Sequence, residues 1–501
     1  MKKILLFGAG KSATVLIDYL KEIATEYIWQ VIVADNDLAL AQHKVGEHKL
    51  VKAIQINIEN EIARKALVHE ADVVISMMPP SLHYLIALDC IEFKKHLLTA
   101  SYIDEKIKQL QPKIEANNIL FLYEMGLDPG IDHMSAMELI NKIKAKGGVI
   151  TSFKSHCGGL IAPESDNNPW HYKISWNPRN IVLAGKAGAI YKENGKVVNV
   201  SYEHLFNNKN IIQTDSGEVY TYYANRDSLG YMTLYNLDGC NTFMRTTLRH
   251  PEFCFGWKNI IDLKLTDEEK IYDTNAMSIA IFFKQHFQKH GFGEWLNQLL
   301  VSRLSYANEM MDKLMQLIEI NDTESAEQNN DEVMLVNETG ELNTINIEAL
   351  KDKAEETILQ KMHEANLSIQ QLFFLGLKDE TFINKGLCSA ADVLQFIIEK
   401  KLALEPDDKD LIVMRHEIEY LFEGKRYTVH SDLSIIGEDS THTAMAKTVG
   451  LPLGIAAKLL LEEKLSLRGL HVPITPEIYE PVLKELKEHA IEFKEKKIIH
   501  K

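Results

Sequence analysis

Cysteine is scarce and scattered. The chain holds five, Cys90, Cys157, Cys240, Cys254 and Cys388, with no CxxC pairing among them. That spacing excludes a zinc ribbon or a dense disulfide framework, and it fits reduced thiols in a cytoplasm. No metal site is expected. Cations are short as well: 55 lysines and arginines face 71 acids, a net charge of −16. Neutralising a phosphate backbone needs clustered basic residues, so nucleic acid is set aside as a partner. No apolar run approaches the roughly 20 residues of a bilayer span. The apolar start after Lys3 lasts only about five residues before glycine interrupts it, too short for a secretion signal. The expectation is a soluble protein with no membrane partner. A repeat of 20 to 50 residues is also absent from the sequence.

What is present is an ordinary globular composition, 46% hydrophobic and 25% charged over 501 residues. The first 125 residues alternate short β-rich runs (KKILLFG, WQVIVAD, AIQINI, ADVVISMMP, HLLTAS, ILFLY) with helical patterns. Such alternation predicts parallel strands joined by helices, a doubly wound Rossmann sheet. One helix is expected over IDEKIKQLQPKIEAN. From about Gly147 the texture changes to longer strands with a hairpin turn at ENGK. Helical patterns then dominate between about Thr266 and Glu405, interrupted by the acidic NDTESAEQNNDEVMLVNETGELN, expected as a surface loop. Strands return at DLIVMRHEIEYLF and KRYTVHSDL around EGK, and a final charged helix is expected to close the chain. The fold class is therefore α/β, with an N-terminal Rossmann sheet, a second α+β domain with a mixed sheet, and an inserted all-α subdomain. The boundaries read as 1–132 joined by about 435–501, then 133–265 with about 406–434, and 266–405.

GAGKSA follows the first strand and opens the first helix. In that context Gly8, Gly10, Lys11, Ser12 and Ala13 would bring backbone amides and a helix N-terminus to a dinucleotide pyrophosphate. Asp35 lies 22 residues beyond Ala13 at the end of the second strand. An acid there bonds the ribose hydroxyls and repels a 2′-phosphate, which slightly favours NAD over NADP. Asn36 or Asp37 is an alternative contact, and Lys11 an alternative seat for a phosphate. Pro79, at another strand exit, completes the cofactor-binding set.

Ligands of open parallel sheets bind beyond the carboxyl ends of the strands. Three exits meet that condition: SMMPP, TASY and GLDPGIDH. Gly126 and Gly130 permit a tight backbone, and Asp128 before Pro129 is biased to an extended form. A rigid hinge, with Asp132 capping the helix HMSAMELINKI, is the alternative.

TASY, EMGLDPGIDH, SHCGGLIAPESDNNPWHYKISWNPR, YANRDSLGY and MRTTLRHPEF, together with GAGKSA, MRHEIE and AMAKTVGLPLGIAAK, closely resemble the L-glutamate-forming saccharopine dehydrogenase family, also called saccharopine reductase. The similarity runs over almost the whole chain. It departs in the acidic insertion near 320–345, and in ADND, where many relatives that use NADP carry an arginine. The resemblance implies an oxidoreductase of lysine metabolism that converts saccharopine reversibly to L-glutamate and 2-aminoadipate 6-semialdehyde with NAD or NADP, and that forms a homodimer. It points to Tyr102, Asp128 and Cys157 for proton transfer, with His133 and His156 secondary. Ser101, Tyr102, Asp128, Gly158, Gly159, Leu160, Arg226, Arg245 and Thr246 fall in the implied substrate site.

The residues make this chemistry reasonable. A secondary amine with three carboxylates needs cations, a hydride acceptor and a proton-handling group. Arg226, Arg245 and Arg249 supply candidate cations, and the latter two, four apart on a strand, share a face. Ser165 or Asn168 is placed to bond a carboxylate, whereas Trp170 and Trp176 read as packing residues. The rival readings are a dehydrogenase on a related carboxylated amine of the carboxyspermidine type, and a non-catalytic dinucleotide sensor.

Overall fold

The structure, a computed structural model, describes residues 1–207, 210–214, 217–294, 332–336 and 342–500. The N-terminal alternation resolves into six parallel strands: β1 (Lys3–Phe7), β2 (Gln30–Asp35), β3 (Val51–Gln55), β4 (Val73–Ser76), β5 (His96–Thr99) and β6 (Leu120–Leu122). Helices α1 (Thr14–Tyr27), α2 (Leu38–Val45), α3 (Glu61–Glu70) and α4 (Pro80–Glu92) join the first five. The strand order is β6-β5-β4-β1-β2-β3, reversing direction at β1, where the exits of β1 and β4 bound a crevice. Ile4, Leu6, Val73 and Ile75 are buried toward one layer of helices, and Leu5, Phe7, Val74 and Leu97 toward the other. Burial on both faces explains why these strands read as continuous apolar runs.

The helix expected over IDEKIKQLQPKIEAN is broken into Glu105–Lys108 and Gln111–Ala116. Pro112 lacks an N–H and its ring clashes with the preceding turn, so a helix restarts there with proline in its first turn.

The C-terminal region completes this sheet. Strand Gly469–His471 pairs in parallel with β6, and helix Ala444–Leu461 packs along α1. That helix is 18 residues long with a mean hydropathy of 1.4, long and apolar enough by length and composition to cross a membrane, and 83% of it is buried inside the protein. Its close approach to α1 needs small residues: a Cβ on Gly450 would come within 2.9 Å of the Leu16 side chain, and one on Gly454 within 2.5 Å of the Tyr19 ring.

The second sheet is mixed. β7 (Val149–Ile161) lies between strand Thr242–Arg249, parallel to it, and strand Asp410–Phe422, antiparallel. Strands Lys425–Ile436 and Lys494–His500 extend one side, and Val219–Ala224 and Ile211–Gln213 the other. The ENGK hairpin forms as expected, Ala189–Glu193 against Lys196–Val200, with Asn194 and Gly195 at φ of 50° and 80°. The charged helix Pro476–Glu488 does not end the described chain; KEKKIIH continues as an edge strand. Lysines are what exposed sheet edges carry, and their charge masks the strand signal.

By internal contacts the chain forms two compact units, one of residues 1–167, 171–254 and 402–501 that holds both large sheets, the other of 168–170 and 255–401. The second contains helices Ile279–His290, Ile347–Leu375 and Ala390–Lys401. Within it Trp170 meets Trp257 edge to face at 6.1 Å, as expected of a packing residue. Most of the acidic stretch 321–343 and the helical pattern before it lie outside the described residues. Its apolar VMLV is not loop but strand, in Glu332–Val336, which pairs with Leu342–Asn346.

Two buried histidines make the first unit acid-sensitive. Burial pulls both His83 and His416 down to about 4 from an ordinary 6.5. A histidine depressed in the folded state binds its proton more readily unfolded, so its contribution is complete above 6.5 and is lost as pH falls toward 4. Urea unfolding is therefore expected to show stability declining over that window, by up to ~1.4 kcal/mol per pH unit for each group. His416→Phe, which leaves the Ser135 hydroxyl its bond to the Ile131 carbonyl, should flatten the slope; an unchanged slope refutes the assignment to His416.

Candidate active site

The glycine loop is shaped at its first residue. Gly8 takes a φ of +100°, and a Cβ there would lie 3.0 Å from the Met77 carbonyl, so the β1 exit runs tight against the β4 exit. A Cβ on Gly10 would meet nothing within 4 Å, leaving room over the loop. Lys11–Ala13 form a single helical turn leading into α1. Asp35 is fixed beside this loop: its carboxylate accepts the Ala9 N–H at 2.6 Å and the Asp37 N–H at 2.9 Å. Lys44 donates to the Gly10 carbonyl at 2.6 Å, and burial draws its ammonium down to about 8 against the pull of Asp35. Lys11 reaches the Ile174 carbonyl at 3.4 Å. The Asn36 carbonyl accepts from Gln55, while Pro79 is the residue from which α4 departs. Open space at a helix N-terminus with an anchored acid alongside fits a dinucleotide, with phosphates over Gly10 to Ala13 and a ribose at Asp35.

The neighbouring exits are tied together. His83 on α4 spans from the Ser76 hydroxyl at 2.8 Å to the Ser101 hydroxyl at 2.7 Å, so Ser101 already has a partner. Glu124 and Met125 donate their N–H groups to the Ser101 and Thr99 carbonyls. The next segment folds back on itself: Gly130 has a φ of +147°, and a Cβ there would overlap Gly126. The Asp128–Pro129 bond is cis. Asp132 is not the helix cap the hinge reading requires. It sits in the first turn of helix Ile131–Ala145 and accepts the Gly130 N–H at 2.6 Å.

Arg245, on strand Thr242–Arg249 of the second sheet, reaches into this loop. Its Nη2 lies 2.5 Å from Asp128, 2.7 Å from Asp132 and 3.4 Å from the Tyr102 hydroxyl, and its guanidinium stacks over Tyr231 at 4.5 Å. The Tyr102 hydroxyl donates to Asp128 at 3.2 Å. The side chains of Arg245 and Asp132 are 2% exposed and that of Asp128 13%, so Asp128 is the carboxylate of this pair with an open side. Burial raises Asp128 above the usual carboxylate range, Arg245 offsetting it only in part and Asp132 adding to the rise. Burial also opposes ionisation of Asp132, but His133, Arg245 and the Gly130 amide hold it below its ordinary value. The Cys157 thiol is pushed well up by burial and then by both aspartates, so it stays protonated.

The structure thus brings Tyr102, Asp128 and Arg245 together, with Arg226 exposed and stacked over the Tyr102 ring at 5.0 Å. Arg245 and Arg249 share one face of the second sheet, as the spacing predicts, and Cys157 lies on that face too, but Arg249 donates to the Gly159 and Leu248 carbonyls. Thr246 and His156 lie on the opposite face, bonded to each other at 2.7 Å, because side chains alternate along a strand. Leu160 shares that parity and packs with Ile212, Tyr220 and Leu248. Gly158 and Gly159 admit Leu248 and Met445 at distances no Cβ would allow. Ser165 and Asn168 accept the N–H groups of Lys409 and Trp170. Trp176 donates to the Tyr172 hydroxyl, as a packing residue would.

Glu124, His83, Asp132 and Tyr231 all belong to this cluster, and sequence reasoning assigned none of them to it. Glu124 opens EMGLDPGIDH, yet nothing in its spacing announces that it meets Tyr231 on the distant helix Leu229–Leu234.

Comparisons with known proteins bear on the same regions. Residues 4–122 match the family model described as saccharopine dehydrogenase NADP binding domain, and 126–491 the one described as saccharopine dehydrogenase C-terminal domain. The chain is 31% identical to saccharopine dehydrogenase [NADP(+), L-glutamate-forming] of Saccharomyces cerevisiae, over 99% of each. It is 31% identical to alpha-aminoadipic semialdehyde synthase of Arabidopsis thaliana over 98% of this chain and 44% of that protein, so it spans about half the length of such relatives. The solved apo saccharopine dehydrogenase (L-Glu forming) from Saccharomyces cerevisiae superposes with a TM-score of 0.76 at 28% identity, covering 99% of this chain and all of that one. The N-terminal family model and the Saccharomyces cerevisiae relative carry NADP in their descriptions and do not support the lean toward NAD.

Removing the arginine leaves two buried carboxylates without their cation. Arg245→Met is expected to cost about 3–5 kcal/mol in urea unfolding, the usual penalty for stripping one partner from a buried ion pair. A loss under about 1 kcal/mol would show that water reaches the cluster freely.

Proposed function

The chain belongs to the saccharopine dehydrogenase family, and from that membership we propose that it interconverts saccharopine with L-glutamate and 2-aminoadipate 6-semialdehyde, a step of lysine metabolism, using a nicotinamide dinucleotide. The observation that carries this reading is Asp128: largely buried with a small exposed side, bonded to Tyr102 and Arg245, and at the same carboxyl end of the sheet as the glycine loop. Three strand spacings separate β1 from β6, roughly 14 Å, a span an extended dinucleotide laid along the edge can cover.

When bound, the dinucleotide accepts a hydride from the substrate carbon next to the secondary amine nitrogen. Loss of that hydride and the amine proton leaves an imine; water adds, and the C–N bond breaks to give the amine of glutamate and the aldehyde. Asp128 is suited to take and return these protons, because a carboxyl raised by burial works nearer neutral pH. Tyr102, its own proton held firmly by burial, is a donor to whatever oxygen or nitrogen lies over Asp128. Cys157 can serve only as a donor, not as a base. For the substrate carboxylates, Arg226 is the exposed cation beside Tyr102, whereas Arg245 already bridges two aspartates. Five buried cysteines without disulfides are consistent with a cytoplasmic setting.

For the finer choice of cofactor, the descriptions of the family model and the Saccharomyces cerevisiae relative carry NADP, whereas the charge of Asp35 favours NAD, since an acid at the end of β2 repels a 2′-phosphate. Protein fluorescence titrations should show NAD bound more tightly than NADP, with Asp35→Ser narrowing or reversing the ratio; NADP bound more tightly by the native chain would overturn this preference.

The reaction itself is tested by mixing the protein with saccharopine and NAD or NADP and following the reduced nicotinamide. Asp128→Ala is expected to lower turnover roughly 10²-fold or more with folding intact. Near-normal turnover by that variant would remove Asp128 from the mechanism, and no signal from the native chain with either cofactor would refute the reaction.

A further inference from the structure

Glu124 is an unusual residue to find at this site. It is buried, and its φ of +57° places a side-chain-bearing residue in the left-handed region, at a cost that needs compensation from its surroundings. The compensation is visible. Its carboxylate accepts the Ile103 N–H at 3.2 Å and the Tyr231 hydroxyl at 2.8 Å, and it faces His133 Nε2 at 2.9 Å. The other nitrogen of His133 meets the Tyr235 hydroxyl at 2.5 Å. Burial raises both tyrosines, with Glu124 adding to the rise, so both remain neutral, and Tyr231 is the donor to Glu124.

These bonds converge on one ring. Tyr231 leaves the short helix Leu229–Leu234; its hydroxyl is held by Glu124, its face stacks on His133 at 5.0 Å, and the Arg245 guanidinium lies over it at 4.5 Å. Arg245 is in turn the cation 2.5 Å from Asp128. The Tyr231 hydroxyl bond thus fixes the platform on which the guanidinium rests, and the guanidinium is the main opposition to the rise that burial imposes on Asp128.

We propose that Glu124 is a positioning residue that acts through the Tyr231 ring to hold Arg245 against Asp128, and so sets the pH at which Asp128 exchanges its proton. The inference rests on the reading of Asp128 as the proton-transfer group. The titratable and charged groups that face Asp128 are Tyr102, Asp132, His133, Cys157, Tyr235 and Arg245, with Arg226 beyond Tyr102. Those that face Glu124 are Tyr231, His133 and Tyr235. Removing the Glu124 charge by itself would lower Asp128; loosening Arg245 raises it. The two roles therefore predict opposite signs.

The test compares Glu124→Gln, Tyr231→Phe and the double variant with the native chain. Tyr231→Phe removes one oxygen and keeps the ring, so it stands in if Glu124→Gln fails to fold. Carboxyl carbon NMR of aspartate-labelled protein, assigned by the resonance lost in Asp128→Asn, reads the Asp128 midpoint without turnover. Both single variants are expected to move that midpoint to higher pH. Turnover of saccharopine should fall roughly 10-fold in each, and the double variant should be no worse than about twofold below the singles, since both act through one contact. An unmoved or lowered midpoint, or fully additive losses, would overturn the proposal. If the native chain does not turn over saccharopine while the midpoint still moves, the assigned reaction fails and the positioning role stands; normal turnover with a fixed midpoint gives the converse.

Discussion

Two buried carboxylates a few ångströms apart cannot both be charged without a cation between them, and Arg245 is that cation. It projects from the second sheet, whereas Asp128 lies in the loop leaving β6 of the first and Asp132 in the first turn of the helix that follows. One guanidinium therefore neutralises the site and joins the two sheets. The asymmetry of the pair follows from position. Asp132 is sealed and held by the Gly130 amide, His133 and the arginine, so it stays ionised; Asp128 keeps an open side, and burial favours its proton. One fixed charge beside one movable proton is what acid–base chemistry on an amine requires.

The rest of the architecture serves to keep these groups in register. The strand exits are laced by backbone bonds from Glu124 and Met125, and His83 ties the β4 exit to the β5 exit through two serines. The glycine loop and the acid-bearing loop thus lie on one continuous edge whose spacing is that of the strands themselves.

Much of this was legible in the sequence. Continuous apolar runs gave the parallel strands, and GAGKSA between a strand and a helix gave the cofactor loop, because both signals are local. GLDPGIDH revealed itself through glycines and a proline that only a tight fold-back needs. The same-face placement of Arg245 and Arg249 followed from the strand period, and that same period separates Thr246 and His156 from the cluster. What stayed hidden depends on chain brought in from elsewhere. Glu124 meets Tyr231 from 107 residues away, and no spacing rule reaches that far. The edge strand KEKKIIH was masked by its own lysines.

The completion of the first sheet by residues near the other end of the sequence has a temporal consequence. During synthesis β6 emerges nearly 350 residues before Gly469–His471, its partner, and α1 waits longer still for the glycine face of helix Ala444–Leu461. At ~5–20 residues per second that interval is roughly 20–70 s. For that time the nascent Rossmann half carries an open sheet edge and an uncovered apolar helix, the surfaces a chaperone on the ribosome would engage, so the domain that begins first finishes last.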